Sequence, residues 1–315
     1  MVLLCLCTGE DQVIRNIRAK LESDGVFGVL KAIYHYVFPY RLKYYPFCKA
    51  VFETGRGLEI GGPSPMFRRR GCIPVYSVTN SIDNCNFERH TTWEGTISEG
   101  YTFAFAKGKK PGYQHIAEAT NLEFIENSSY DFVLSSHCIE HLANPLQALS
   151  EWIRVLKDNG LLVLVVPHKD GTFDHRRPTT SLAHLIQDFN ARTGEGDLAH
   201  LEEILRLHDL AKDPGAGDYK SFKARSERNI ENRCLHQHAF DTRLAVEMIN
   251  QAGLQILAVE LFLPYHILVI AQKMSGENKS VNNACFRGID SAPCWISPFP
   301  SDEPGRVYAP NPADA

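Results

Sequence analysis

Two stretches of the chain hold most of the side chains able to do chemistry. The first, His168-Lys169-Asp170-Gly171-Thr172-Phe173-Asp174-His175-Arg176-Arg177, mixes imidazoles, carboxylates and guanidinium groups. Histidine titrates near neutral pH and can take a proton from a hydroxyl or amine. His168 or His175 is therefore expected as a general base, with Asp174 orienting it. Arg176 and Arg177 suit a carboxylate or phosphate, although a salt bridge to Glu195, Asp197, Glu202 and Glu203 is an equal alternative. The second stretch, His236-Gln237-His238, offers two further imidazoles for substrate. A metal there would need a third ligand that the sequence does not place, so none is expected.

A third feature is the run Leu58-Glu59-Ile60-Gly61-Gly62-Pro63-Ser64, a short strand that ends in a glycine turn. Glycine there either turns the chain or lets the backbone approach a ligand closely. The run resembles the first motif of class I S-adenosylmethionine-dependent methyltransferases, with Gly61, Pro63 and Pro65 where the family has glycines. Ala117-Glu118-Ala119-Thr120 resembles the third motif of that family. The segment from Ser129 to Pro145, with Ser136-His137-Cys138-Ile139-Glu140-His141 at its centre, resembles its fourth-strand signature. The succession runs over residues 57–167 in the family's order.

The resemblance implies S-adenosylmethionine as cofactor. Glu59, Gly61, Gly62 and Pro63 would lie against its amino-acid part, with helix-N-terminal amides facing its carboxylate. Asp83 would hold the ribose, Glu118 and Ala119 the adenine, and Ser136 and His137 would stand at the rim. His137 and His141 are weighed more towards capping or packing at the junction. The implied reaction is methyl transfer to an oxygen or nitrogen of a small metabolite. A non-catalytic methyltransferase-like binding protein is the main alternative. A nucleotide-dependent oxidoreductase fits less well, because an intact G-x-G-x-x-G is missing.

These residues need elements to position them. Aliphatic runs suit strands buried on both faces of a parallel sheet. Strands are expected at Leu58–Ile60, Ile73–Val78, His115–Ala117, Asp131–Leu134 and Leu161–Val166. Asn144-Pro145 opens a helix, Asp241 caps another, and two adjacent strands, 254–263 and 266–271, follow Gly253. The fold class is α/β. The resemblance implies a Rossmann-like, seven-stranded, mostly parallel sheet with an antiparallel last strand. A helical insertion, 168–238, follows strand five and is expected to act as a lid. Residues 1–50 form a helical and aromatic arm, expected to pack over the domain at 51–273. Residues 274–315 read as a tail, flexible or draped over the surface.

Bulk properties narrow the function. A hydrophobic fraction of 44% allows a sizeable core, and a net charge of −4 gives no basic field for nucleic acid. Arg68-Arg69-Arg70 reads as a solvated turn. The nine cysteines are odd in number and lack C-x-x-C spacing, so neither a disulfide framework nor a zinc finger is expected. The apolar start is short and lacks basic residues, and no run of about 18 apolar residues occurs. The expectation is a cytoplasmic protein with a small-molecule partner, no nucleic acid and no stable membrane insertion, its oligomeric state open.

Overall fold

A computed structural model describes residues 40–276 and 283–303. Helix α1 (Tyr45–Thr54) leads into strand β1 (Arg56–Ile60), a one-turn helix α2 (Val75–Val78) and strand β2 (Ser81–Asn86). A small ribbon of β3 (His90–Thr91) and β4 (Gly95–Thr96) follows, then β5 (Gly100–Phe103), β6 (Gly112–Ile116) and β7 (Tyr130–Ser136). Helix α3 (Pro145–Val155) leads to β8 (Leu156–Pro167). The insertion carries α4 (Leu182–Ala191), α5 (Leu201–Leu207), α6 (Tyr219–Ser226) and α7 (Asn229–Asn232). Helix α8 (Thr242–Gln251), strands β9 (Gln255–Phe262) and β10 (His266–Gln272), and the short α9 (Ala284–Arg287) complete the order.

The sheet runs β5-β6-β2-β1-β7-β8-β10-β9. Strands β6, β2, β1, β7 and β8 are mutually parallel, and β10 is antiparallel to both its neighbours. The fold is therefore Rossmann-like, with one strand beyond the expected seven: β5, antiparallel at the outer edge. One face is covered by α3, α4 and α8 through Trp152, Leu149, Leu185, Leu244 and Met248. The other is covered by α1, α2 and the β1–β2 connection through Phe52, Tyr76 and Phe67.

The expected caps are in place. Asn144 Oδ1 accepts the Gln147 amide, and the Asp241 carboxylate accepts that of Leu244.

Strand two is not where the apolar pattern put it. Residues 73–78 bury as a turn and short helix over the sheet, and β2 is the polar run Ser81-Ile82-Asp83-Asn84-Cys85-Asn86. Such a strand escapes a search for aliphatic runs. It is stable because its polar groups are paired: Asp83 with Arg56 and Tyr130, Asn84 with Gly62 and Gln114.

Two further expectations fall on the termini. Residues 1–39 of the arm lie outside the described residues, while Tyr40 stacks on Phe262 and donates to Glu260 Oε2 at 2.6 Å. Residues 283–303 drape along α8 and β9: Asn283 Oδ1 accepts the Ile256 amide, and Asp302 accepts the Thr242 hydroxyl at 2.6 Å. Contrary to the cysteine pattern, this segment holds a disulfide, Cys285–Cys294. One local pair among nine scattered cysteines gives no framework signal. No helix among the described residues is long and apolar enough to cross a membrane.

Candidate functional site

Register brings the carboxyl ends of the central strands level. Ile60 pairs with Cys85 on one side and Ser135 on the other, so Gly61, Asn86 and Ser136 share one edge. In open α/β sheets this is the edge where ligands bind.

The glycine turn at this edge is locked from beneath. Glu59 is fully buried; it accepts the Ser64 amide at 2.9 Å and the Tyr76 hydroxyl at 2.5 Å. Burial, only partly offset by those hydrogen bonds, pushes its pKa up to about 8. A Cβ on Gly62 would sit 2.2 Å from the Glu59 carboxyl carbon, so only glycine fits there. The Gly62 amide donates to Asn84 and the Gly61 amide to the Cys85 carbonyl. Pro63 and Pro65 have no amide to give, and the chain makes only a 3-10 turn at Pro65–Phe67. The expected helix N-terminus facing a carboxylate is therefore not formed. The Ser64 hydroxyl itself caps the Met66 amide.

Asp83 stands mid-strand, opposite Leu58, where Arg56, Tyr130 and the Tyr113 amide engage it. It is thus held away from the edge where a ribose would lie, and the residue that ends β2 is Asn86. Glu118 does lie at the edge, just past β6, and the adjoining Ala119 carbonyl accepts the Trp152 indole N–H. Glu118 pairs at 2.5 Å with Arg233 of the insertion, whose guanidinium also binds Glu195 at 2.8 Å and covers the Phe87 ring. Burial raises the pKa of Glu195 to about 7, even with Arg233 beside it. At the exit of β7, Ser136 Oγ is buried without a hydrogen-bond partner. His137, at φ 52°, lies 3.0 Å from the His266 ring nitrogen.

The insertion rearranges the expected base. His168 is sealed: its ring stacks on Phe299, and Nε2 lies 3.3 Å from Asp302 of the tail. His175 is oriented by Asp209, at 2.9 Å, and Arg176 also leans towards Asp209. Asp174 instead holds His236 Nδ1 at 2.5 Å and Arg177 at 3.0 Å. Arg177 is buried and donates as well to Glu203 and to the carbonyls of His236 and Gln237. It is thus the structural keystone of the insertion, the alternative that the acidic run suggested.

His236 faces Glu140 and His141, and the ligand atoms of the three lie within 4.8 Å of one another. Glu140 is 1% exposed, and neither carboxylate oxygen has a hydrogen-bond partner. His141 Nδ1 is fixed on the Leu235 carbonyl. Burial pushes His236 down, but the Asp174 carboxylate outweighs it and leaves its pKa above the ordinary value. Burial likewise opposes ionisation of Asp174, yet His236 and Arg177 hold it well below the carboxylate range. His238 turns the other way, into a group with His184 and His200. Glu140 and His141 carried a sequence signal, since both lie in the fourth-strand segment. Arg233 and Asn86 carried none, and Glu195 was expected only as a partner for Arg176 and Arg177. Open hollows of about 440 and 180 Å³ lie elsewhere, over Leu201 and Tyr219 and beside Thr54 and Asp158.

Residues 95–164, from β4 through β8, match the family model of a methyltransferase domain. The similarity to a methyltransferase domain thus lies over these residues, on a Rossmann-like fold. S-adenosylmethionine is the cofactor of such a domain. Solved structures similar to it include an S-adenosylmethionine-dependent methyltransferase from Methanosarcina mazei, 17% identical. That match covers 70% of this chain and 93% of the other, with a TM-score of 0.39. A putative methyltransferase from Bacillus halodurans C-125 is 13% identical over 73% of this chain and 97% of the other, with a TM-score of 0.40. No curated protein matches the sequence.

At the carboxyl edge, Gly61, at φ 76°, packs closely against Cys138, Glu118 follows β6, and the Ser136 hydroxyl is an orphaned buried polar atom, a set a nucleoside could meet. The turn amides of Gly61, Gly62 and Ser64 are satisfied internally.

Proposed function

We propose that the methyltransferase domain moves a methyl group from S-adenosylmethionine to an oxygen or nitrogen of a small metabolite. The acceptor would lie between the β7 exit and the insertion. The observation that carries this reading is the buried Asp174–His236 pair, aimed at Glu140 and His141, which follow Cys138, the residue packed against Gly61. S-adenosylmethionine supplies an electrophilic methyl on a sulfonium. Asn86, Glu118, Ala119 and Ser136 would hold its nucleoside end. His236, its Nδ1 fixed on Asp174, would take the acceptor's proton at Nε2, as a positioned base does. Holding the acceptor in line supplies roughly 7–11 kcal/mol of the barrier in well-oriented reactions. Arg233, bridging Glu118 and Glu195, would close the insertion over the nucleoside end as a lid.

The internally satisfied turn favours one rival, a methyltransferase-like module that binds without catalysis. Release of S-adenosylhomocysteine from the full chain, incubated with fractionated small metabolites, separates the two. Turnover with a hydroxyl- or amine-bearing fraction, lost in His236→Ala, supports catalysis. Cofactor binding with no turnover on any fraction would favour the rival.

A further inference from the structure

The insertion contains a second cluster that the methyl-transfer reading does not use. His184 and Asp188 lie one turn apart on α4, His200 precedes α5, and His238 sits on the segment leading back to the sheet. The Nε2 atoms of His184 and His200 are 2.9 Å apart. Asp188 Oδ2 lies 3.3 Å from His184 Nε2 and 3.8 Å from His238 Nε2. The three imidazoles each offer a ligand atom within 4.8 Å of the others, and Asp188 lies against two of them.

One of these donors is orphaned: Asp188 Oδ2 is buried with no hydrogen-bond partner, on a residue 8% exposed, and the other ring nitrogen of His238, Nδ1, is also unpaired. A buried carboxylate oxygen or imidazole nitrogen left unpaired costs free energy that a native fold does not spend without return. The outer contact of Asp188 has the form of a metal site's surroundings: its Oδ1 accepts from Thr193.

The insertion also needs a staple. Its own apolar cluster of buried residues is only Ile204, Ala216, Phe222 and Leu235. Small units with so little core are commonly held by metals or disulfides.

We propose that His184, Asp188, His200 and His238 bind a four-coordinate Zn²⁺ that staples the insertion internally, tying α4 and the start of α5 to the segment that returns to the sheet. Three imidazoles and a carboxylate fill a tetrahedral shell and leave no open position, which makes the site structural. His184 and His200 are partly exposed, so the ion has a way in.

The test uses the full chain, purified with zinc present and dialysed, with metal content read by mass spectrometry. About one zinc per chain is expected, falling to none in Asp188→Asn and His238→Ala and retained in Glu140→Gln. On the unmutated chain, Co²⁺ replacement should give the intense visible bands of a four-coordinate ion. Chelation should raise hydrogen exchange in α4 and α5 ahead of β7 and β8. No bound zinc, zinc indifferent to Asp188→Asn and His238→Ala, or zinc lost on Glu140→Gln would each overturn the proposal. If the variants do not fold, the cobalt spectrum decides alone, and six-coordinate or absent bands overturn it.

Discussion

Asp174 sets what His236 can do. Its carboxylate holds the ring by Nδ1 and lifts its pKa above the ordinary value. As a base His236 must be neutral, so turnover should rise with pH through a value above about 6.5. Asp174→Asn should move that rise to lower pH and cut kcat by 10²-fold or more, on the order of a lost general base. A kcat–pH profile unmoved by the substitution would remove His236 from the chemistry. Glu59 poses the opposite problem. Its pKa is near 4.5 unfolded and about 8 folded, so its contribution to stability is present at low pH and is lost as pH rises through 8. Glu59→Gln should therefore flatten the fall in Tm between about pH 5 and 8, and parallel curves would contradict this. The sequence shows the histidines and acids but not who holds whom. Asp174 sits beside His175 in the chain, yet its partner is His236, because the insertion folds the two segments together. Orientation of a base is a tertiary fact that spacing alone does not carry.

At the scale of elements, the insertion is more than a flap. Arg233 bridges Glu118, beside β6, to Glu195, so it ties the insertion to the cofactor edge. Without Arg233, Glu195, already raised to about 7, takes up a proton, and the lost hydrogen bonds cost about 1–3 kcal/mol. Arg233→Ala should therefore destabilise the protein by about that amount, with hydrogen exchange rising first over residues 195–235. Unchanged protection there would show that the insertion is held by other contacts. Legibility differed among elements for physical reasons. Strands β1, β7 and β8 bury aliphatic side chains on both faces and announced themselves, as did the caps Asn144 and Asp241. Strand β2 did not, because its stability comes from Asp83, Asn84 and Asn86 bonding sideways. The polar run reads as a loop until those partners are known. The expected helix after β1 failed for a related reason: Pro63 and Pro65 withhold the amides that a helix start and an anion site both need.

The whole molecule couples its last described residues to its sheet. Asp302 accepts from the amide and hydroxyl of Thr242 at the start of α8 and lies against the buried His168. Asp302→Ala leaves those donors unmet, and chemical denaturation should show a loss of about 1–3 kcal/mol; no change would mean the tail only rests on the surface. The order of the central strands follows from buried hydrophobic runs and a terminal strand pair, which is why the fold class could be read from the sequence. The tail could not, since its polar composition hides a few specific anchors. The central claim is that the carboxyl edge binds S-adenosylmethionine even though its glycine turn is internally satisfied. Calorimetry of S-adenosylmethionine and S-adenosylhomocysteine on the full chain, with Gly61→Arg as control and NADH as competitor, tests it most directly. Micromolar binding of both ligands, abolished by Gly61→Arg and indifferent to NADH, is the predicted result. A folded chain that binds neither, or binds NADH instead, would contradict it.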